Sequence, residues 1–184
     1  MTVAAIIQAR IGSTRLPGKI LKEVGGRPLL DYMLERGRAA KTLDSVAVAT
    51  TTQAQDDRVE EYCRRAGMAV YRGSEDDVLD RYYRCASKVR ADAIVRLTSD
   101  CPLMDPNVID EVVGDFLKGD CDYAANTAPP PGTYPDGMDV EVFSFAALER
   151  AWKEAKKPSE REHVTFFFWK NPGLFRTRRH ETAE

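Results

Sequence analysis

The chain opens with the stretch VAAIIQARIGSTRLPGK, which covers residues 3–19 and decides the fold. Its first part, residues 3–9, is a short apolar run that contains two isoleucines. A run of this kind, without polar alternation, is typical of a strand buried on both faces of a parallel sheet. A loop rich in Arg and Gly follows directly. We therefore expect this loop at the carboxyl end of the strand, the edge at which open α/β sheets bind their ligands.

Further apolar segments alternate with helical patterns along the chain. Pro28 stands near the start of one helical pattern, Gly67 follows the end of another, and Asp105-Pro106 opens a third. This alternation predicts an α/β fold with a mostly parallel sheet, and right-handed crossovers place helices on both faces in three layers. The predicted strands are residues 3–9, 45–50, 68–71, 93–97, 139–143 and a final one at 174–177; the helices with predicted bounds are 56–66, 144–156 and 159–170.

Beyond residue 126 the alternation loosens. The Pro-rich residues 128–132 are too few for a linker between domains. We therefore expect a single domain over residues 1–184, in which residues 127–184 form an appended subregion.

Composition restricts the class of protein. The chain has 184 residues, of which 43% are hydrophobic and 30% charged, as in soluble globular proteins. Its longest apolar run is five residues, and its start lacks the basic region of a signal peptide, so we expect a cytoplasmic protein. The four cysteines form no Cys-x-x-Cys pair, which argues against a zinc site, and we expect free thiols.

Charge is distributed unevenly along the sequence. Residues 1–42 carry a net charge of +5, residues 43–149 carry −11 and residues 150–184 carry +4. Basic ends around an acidic middle suit an anionic ligand held by one part and a metal by another, but solvated surface explains the pattern equally well. The overall charge of −2 differs from the basic profile of nucleic-acid-binding proteins.

The loop after the first strand has the composition of a polyphosphate site. Arg10, Arg15 and Lys19 supply three cations, while Gly12 and Gly18 allow backbone amides to approach an anion closely. Five residues separate the two glycines, and Ile20 follows the lysine, so this is not a Walker A loop; nor is it Gly-x-Gly-x-x-Gly. The alternative is a basic surface loop without a ligand.

Residues 9–19, with the pattern Ala-Arg-x-Gly-Ser-x-Arg-Leu-Pro-Gly-Lys, resemble the signature loop of the sugar cytidylyltransferases, which include the CMP-KDO and CMP-acylneuraminate synthetases. The chain is most similar to the SpsF-type branch of spore-coat polysaccharide biosynthesis. Nearly the whole chain takes part in this resemblance. The other similar segments are residues 48–52, 72–82, 100–103, 134–142 and 159–164.

The resemblance implies a Rossmann-like, GT-A-like nucleotidyltransferase fold and a reaction that transfers CMP from CTP to a sugar, by family habit a sugar acid, with release of pyrophosphate. It implies Mg²⁺ as cofactor and a homodimer as the assembly. Arg15 and Lys19, together with Asp100, are the expected catalytic residues. The residues expected around the nucleotide are Ala9, Arg10, Gly12, Ser13, Arg15, Lys19 and Arg81.

Acidic residues predict the metal side of the site. Asp100 directly follows the strand at 93–97, so it lies at the same sheet edge as the loop, and a carboxylate there suits Mg²⁺. The resemblance places a metal-binding aspartate at this Asp-x-Pro-Leu step. Asp139 and Glu141 alternate by two on a predicted strand and therefore face one side. They are expected as further metal ligands, with a polar strand face as the alternative.

The appended subregion is expected to hold the sugar or to form the dimer interface. Four consecutive aromatic residues at 166–169 cannot all be buried by one helix face, so one side is expected to meet the core and the other a partner. His163 is interpreted as a sugar-side or interface residue.

Two other functions stay open from the sequence. Fuller members of the SpsF branch continue into an element that carries a second metal-binding aspartate, and the chain ends at Glu184 without it; it could then be a nucleotide-binding but catalytically incomplete module. Alternatively, Asp120-Cys121-Asp122 resembles the Asp-x-Asp of glycosyltransferases, although aspartates also cap and turn there. The residues themselves name neither the sugar nor the base.

Overall fold

The apolar run at the start of the chain forms the centre of the sheet. A computed structural model describes residues 1–13, 16–127 and 133–181. Within these ranges a seven-stranded sheet has the order β5-β4-β1-β6-β8-β7-β9, and β2 and β3 form a separate hairpin. The strands are β1 (Val3–Gln8), β2 (Glu23–Val24), β3 (Arg27–Pro28), β4 (Ser45–Thr51), β5 (Ala69–Gly73), β6 (Ala93–Thr98), β7 (Tyr123–Ala125), β8 (Glu141–Ser144) and β9 (Thr177–Arg179).

The strands that lead into the loop and into Asp100, β1 and β6, belong to the parallel part of the sheet. β1 pairs in parallel with both β4 and β6, and β4 pairs in parallel with β5. β8 runs antiparallel to both β6 and β7, while β9 is parallel to β7. The predicted mostly parallel α/β sheet is confirmed, and β8 is its reversed strand. Because β8 is reversed, its first residue, Glu141, lies at the edge where β1 and β6 end.

Helices cover both faces of the sheet, as predicted. Alternate residues of β1 separate the core into two parts: Val3, Ala5 and Ile7 pack with α1, α2 and α4, while Ala4 and Ile6 pack with α3 and α5. The α-helices are α1 (Leu29–Ala39), α2 (Asp57–Arg65), α3 (Val78–Val89), α4 (Pro106–Phe116), α5 (Phe145–Glu154), α6 (Pro158–Glu162) and α7 (Phe166–Lys170).

The second half of the chain departs from the prediction in detail. The single helix predicted over residues 159–170 is two short helices, α6 and α7, separated at residues 163–165. The carboxylate of Glu160 accepts hydrogen bonds from the amides of Lys156 and Lys157, so Glu160 caps the start of α6. The last strand lies at Thr177–Arg179, C-terminal to the predicted position.

Burial and hydropathy bear on two further predictions. All four cysteines are free, as predicted, and burial raises the pKa of Cys63 and Cys85 to about 12, so both thiols stay protonated. In the part of the chain that the structure describes, each helix is too short or too polar to span a bilayer.

Candidate active site

The loop after β1 is fixed by a buried carboxylate. The amide of Ile11 donates a 2.7 Å hydrogen bond to Asp56. Asp56 is fully buried and also accepts a hydrogen bond from the hydroxyl of Thr51, at the end of β4. The amide of Gly18 donates to the carbonyl of Ile11 at 3.0 Å, which closes the loop on itself. The sequence analysis did not single out Asp56, although it is the first residue of the predicted helix that follows the apolar strand at residues 45–50.

The loop and the end of β6 enclose a cavity of about 290 Å³, called here the first cavity. Lys19 and Asp100 meet across it, with the ammonium nitrogen 2.6 Å from the carboxylate oxygen. Burial raises the pKa of Asp100, but the hydrogen bond and charge of Lys19, together with hydrogen bonds from the backbone amide of Asp100 and from Thr98, outweigh burial and hold this pKa below its ordinary value. The lining residues are Gln8, Arg10, Gly12, Ser13, Lys19, Ile20, Thr98, Ser99 and Asp100.

Of the predicted nucleotide residues, four therefore surround the first cavity. Gly12 is closely packed, because a Cβ there would lie 3.1 Å from the side-chain nitrogen of Gln55, which would have to shift to admit it. Ala9 is buried, and its amide donates a 3.1 Å hydrogen bond to the carbonyl of Ala49. Its backbone therefore continues the pairing of β1 with β4 at this edge of the sheet. Arg15, predicted to be catalytic, lies outside the described residues.

A second cavity of about 460 Å³ adjoins the first and shares Gln8 and Arg10 with it. Arg10 lies 3.5 Å from Glu75 and is half-exposed, so its guanidinium is accessible from both cavities. The remaining lining residues are Glu75, Asp76, Asp77, Val78, Pro158, Arg161, Glu162 and His163.

Arg81, predicted to lie near the nucleotide, is buried beneath this second cavity. Its guanidinium donates to the backbone carbonyls of Ser74 and Glu75, and burial lowers its pKa. Gly73 lies directly against its stem, since a Cβ at Gly73 would be 3.0 Å from the Cγ of Arg81. Arg81 thus holds the segment that carries Glu75, and this is an indirect contribution to the site.

Glu141 and Asp139, the two further residues predicted to bind the metal, differ in their surroundings. Glu141 is buried; it is paired with Arg96 and accepts a 2.6 Å hydrogen bond from the hydroxyl of Tyr123. Both of its oxygens therefore already have partners. Burial raises the pKa of Asp139, and the charge of Glu141 adds to this effect, with a smaller contribution from Asp100.

The arrangement fits a hard cation that takes few protein ligands. Among the described residues, no group of three or more His, Cys, Asp or Glu side chains is arranged to hold a metal. Asp100 lines the first cavity, and Asp139 lies near enough for the charge of Asp100 to contribute, after burial, Glu141 and Asp136, to the raised pKa of Asp139. Mg²⁺ typically uses one or two carboxylates together with waters and substrate phosphates, so this donor set suits it.

The Asp120-Cys121-Asp122 motif lies elsewhere. It precedes β7, which is parallel to β6, so it is at the opposite edge of the sheet from Asp100. Asp122 forms a two-point ion pair with Arg176, with distances of 2.8 and 3.1 Å, and Asp120 is paired with Arg178. These aspartates tie β7 to the segment of β9, which is a structural role.

Comparison with known proteins identifies the family. The model of the cytidylyltransferase family matches residues 4–184. The SpsF spore coat polysaccharide biosynthesis protein of Bacillus subtilis is 34% identical over 187 residues, covering 97% of this chain and 75% of that protein. The uncharacterised protein MJ1063 of Methanocaldococcus jannaschii is 44% identical over 176 residues, covering 96% of this chain and 70% of that one.

A solved structure of a cytidylyltransferase has the same fold over the whole of this chain. A cytidylyltransferase from Leptospira borgpetersenii superimposes with a TM-score of 0.93 at 38% identity, covering all of this chain and 77% of that chain. Fold, loop and sheet-edge carboxylate thus define a nucleotidyltransferase. The chain belongs to the cytidylyltransferase family.

Proposed function

We propose that this protein transfers CMP from CTP to a hydroxyl of a sugar and releases pyrophosphate. The observation that carries the proposal is the first cavity, which Lys19, Arg10, Gly12 and Ser13 line together with Asp100. Cations and glycine amides on one side suit a triphosphate, and a carboxylate on the other suits the metal that accompanies it.

In the proposed reaction, the sugar hydroxyl loses its proton to solvent water, a bond forms between its oxygen and the α-phosphorus, and the bond from that phosphorus to the pyrophosphate oxygen breaks. Negative charge spreads over the phosphate oxygens, so positioned cations lower the barrier. Lys19 would neutralise the triphosphate, and Arg10 would hold the nucleotide between the first and second cavities. Arg15 is proposed for the same role on the family resemblance alone.

Asp100 and Asp139 are the residues proposed to hold Mg²⁺. Bound there, the metal would neutralise phosphate charge during transfer. Glu141 is proposed to act through Arg96 and Tyr123 rather than as a ligand, because both of its oxygens are already engaged. The second cavity is proposed for the nucleoside, with Arg81 supporting the segment at Glu75.

The product is proposed to serve surface polysaccharide synthesis, because a relative over nearly the whole chain carries the name of a spore coat polysaccharide biosynthesis protein. We propose residues 127–184 as the sugar-side subregion, since they supply β8 and α7 beside the site, and a homodimer as the assembly. A sugar acid is the acceptor class that the resemblance favours.

The experiment is a pyrophosphate-release assay with CTP, UTP, ATP and GTP against 3-deoxy-manno-octulosonate, N-acetylneuraminate and neutral hexoses, with and without Mg²⁺. The proposal requires CTP- and Mg²⁺-dependent release with at least one sugar. CTP binding without release for any sugar would favour the catalytically incomplete module instead. In a separate assay with a nucleotide-diphosphate sugar in place of the triphosphate, release of the nucleoside diphosphate would favour a glycosyltransferase.

A further inference from the structure

Asn126 stands directly after β7 and is fully buried, although its side chain is a polar amide. A buried amide group needs hydrogen-bonding partners, and this one finds them in the backbone of a single short segment. Its nitrogen donates a 2.7 Å hydrogen bond to the carbonyl of Met138, and its oxygen accepts a 2.9 Å hydrogen bond from the amide of Val140. The Asn126 side chain therefore holds the two peptide groups on either side of Asp139.

The backbone at Asp139 depends on these contacts, because it lies outside the strands and helices. β8 begins at Glu141, and its pairing with β6 and β7 starts there. The backbone amide of Asn126 adds a third hydrogen bond, to the carbonyl of Val140 at 3.3 Å. Asn126 thus extends the contact between the two chains by one residue and fixes the backbone from which the Asp139 side chain projects.

A tight turn holds the other side of this segment. The amide of Met138 donates a 3.2 Å hydrogen bond to a carbonyl three residues earlier, and Gly137 has a φ of +91°, which suits glycine. A Cβ at Gly137 would lie 3.9 Å from the Sγ of Cys101, so the turn packs against the residue that follows Asp100. The turn therefore brings the segment that carries Asp139 close to the predicted metal ligand at the end of β6.

The surroundings of Asp139 explain why its backbone has to be fixed. It lines a third cavity, of about 280 Å³, with Arg96, Glu141 and His163, and His163 borders the second cavity as well. The charges of Glu141 and Asp136 act on Asp139 with the same sign as its own. Repulsion of this kind turns an unrestrained carboxylate away from its neighbours, whereas a metal ligand has to stay among them.

Resting on the proposed function, we infer that Asn126 is the positioning residue that keeps Asp139 directed at the metal it is proposed to bind with Asp100. In this account Asn126 touches neither the substrate nor the metal and acts through Asp139. Removing a group that orients a metal ligand typically costs about tenfold to a hundredfold in metal affinity.

Metal binding tests the inference without turnover. A CTP analogue that cannot be cleaved at the α-phosphorus is held on an excess of protein, Mn²⁺ is titrated in, and the paramagnetic resonance of free Mn²⁺ gives its dissociation constant. Asn126→Ala should weaken Mn²⁺ binding about tenfold. Its affinity for the analogue in EDTA, measured by calorimetry, should stay at the wild-type value, because Asn126 is not among the described residues that line the first and second cavities.

A second variant covers the case in which Asn126→Ala does not fold. The hydroxyl of Asn126→Ser can still bond one of the two peptide groups, so this variant should lose less Mn²⁺ affinity than Asn126→Ala. Asp110→Ala is the control for stability, since it removes a carboxylate that accepts three hydrogen bonds away from the three cavities. It should lower the midpoint of urea denaturation and leave Mn²⁺ affinity unchanged.

A double variant distinguishes positioning from a general structural role. If Asn126 acts through Asp139, Asn126→Ala should have no further effect on Mn²⁺ affinity once Asp139→Ala has removed the carboxylate. An equal loss with and without Asp139 would overturn the inference, and so would wild-type Mn²⁺ affinity in Asn126→Ala and Asn126→Ser.

The levels of the account fail differently in these measurements. If Asp139→Ala binds Mn²⁺ as wild type does, Asp139 is not a ligand and the inference fails with that assignment, while CTP binding in the first cavity stands. If wild type does not bind the analogue with or without Mn²⁺, the proposed function itself fails.

Discussion

Lys19 and Asp100 each have a second partner in the proposed reaction. Without ligands they neutralise each other at 2.6 Å, whereas CTP would take Lys19 and the metal would take Asp100. Asp100→Asn frees Lys19 and removes a repelling carboxylate, so CTP binding without metal should become roughly twofold to fivefold tighter. Mg²⁺ should then strengthen CTP binding much less than in wild type. Calorimetry in EDTA and in Mg²⁺ measures both effects.

The matched control for this exchange is Glu61→Gln, which removes an exposed carboxylate on α2 away from the three cavities. It should leave both affinities at their wild-type values. Weaker metal-free CTP binding by Asp100→Asn, or an undiminished effect of Mg²⁺, would show that Lys19 and Asp100 do not exchange partners.

Asp56 is the residue on which the loop conformation depends most directly. Asp56→Ala leaves the amide of Ile11 and the hydroxyl of Thr51 without their buried acceptor, so the free energy of unfolding should fall by about 1–3 kcal/mol. CTP binding should weaken as well, because the loop loses its anchor. Asp56→Asn keeps an acceptor for Ile11 and should lose less of both. Urea denaturation and calorimetry give the two values; equal CTP affinity in Asp56→Ala and wild type would contradict the anchoring role.

At the scale of elements, Asp110 joins α4 to the loop before β4. Its carboxylate accepts hydrogen bonds from the hydroxyl and amide of Thr42 and from the amide of Lys41, and these outweigh burial and lower its pKa. A carboxyl with a lowered folded-state pKa stabilises the protein above the unfolded pKa of about 3.9, and this stability is lost as pH falls through the folded value.

Asp110→Ala should therefore destabilise the protein at pH 7 by about 1–3 kcal/mol, and the difference from wild type should shrink below about pH 4. Urea denaturation of both proteins between pH 3 and pH 7 measures the difference. A difference that stays constant over this range would mean that the ionised carboxylate contributes nothing to the connection.

The elements that the sequence predicted well are those with strong local signals. Apolar runs located β1, β4 and β6, and Pro-Gly and capping signals located α1, α2 and α4, so the sheet edge with its loop and Asp100 followed. The reversal of β8 depends on pairing between distant residues, such as Arg96 with Glu141, which local periodicity does not encode. The division of residues 159–170 into two helices reflects burial of Phe167 and Phe168 against the sheet.

Prediction of the site residues has the same limit, because local sequence does not encode contacts between distant residues. Loop composition located Lys19 and Arg10, but the distances that join Lys19 to Asp100 and Asp56 to Ile11 arise only from the tertiary fold. The sequence predicted Arg81 near the nucleotide, but nothing local shows that α3 buries it.

For the whole molecule, strand order brings three cavities together along one edge of the sheet. Gln8 and Arg10 connect the first cavity to the second, and His163 connects the second to the third. In the proposed account, the triphosphate lies in the first cavity and the nucleoside in the second, with Asp100 beside the phosphates. The parallel β1–β6 pair and the reversed β8 bring these groups to one edge of the sheet.

The central claim is that the first cavity binds the triphosphate of CTP. The most direct measurement is calorimetric titration of CTP and UTP in Mg²⁺ into wild type and Lys19→Ala, with Lys41→Ala as a control on the distant surface. The account predicts that wild type prefers CTP, that Lys19→Ala weakens CTP binding at least tenfold, and that the control does not change it. CTP binding of equal strength in wild type and Lys19→Ala would contradict the account.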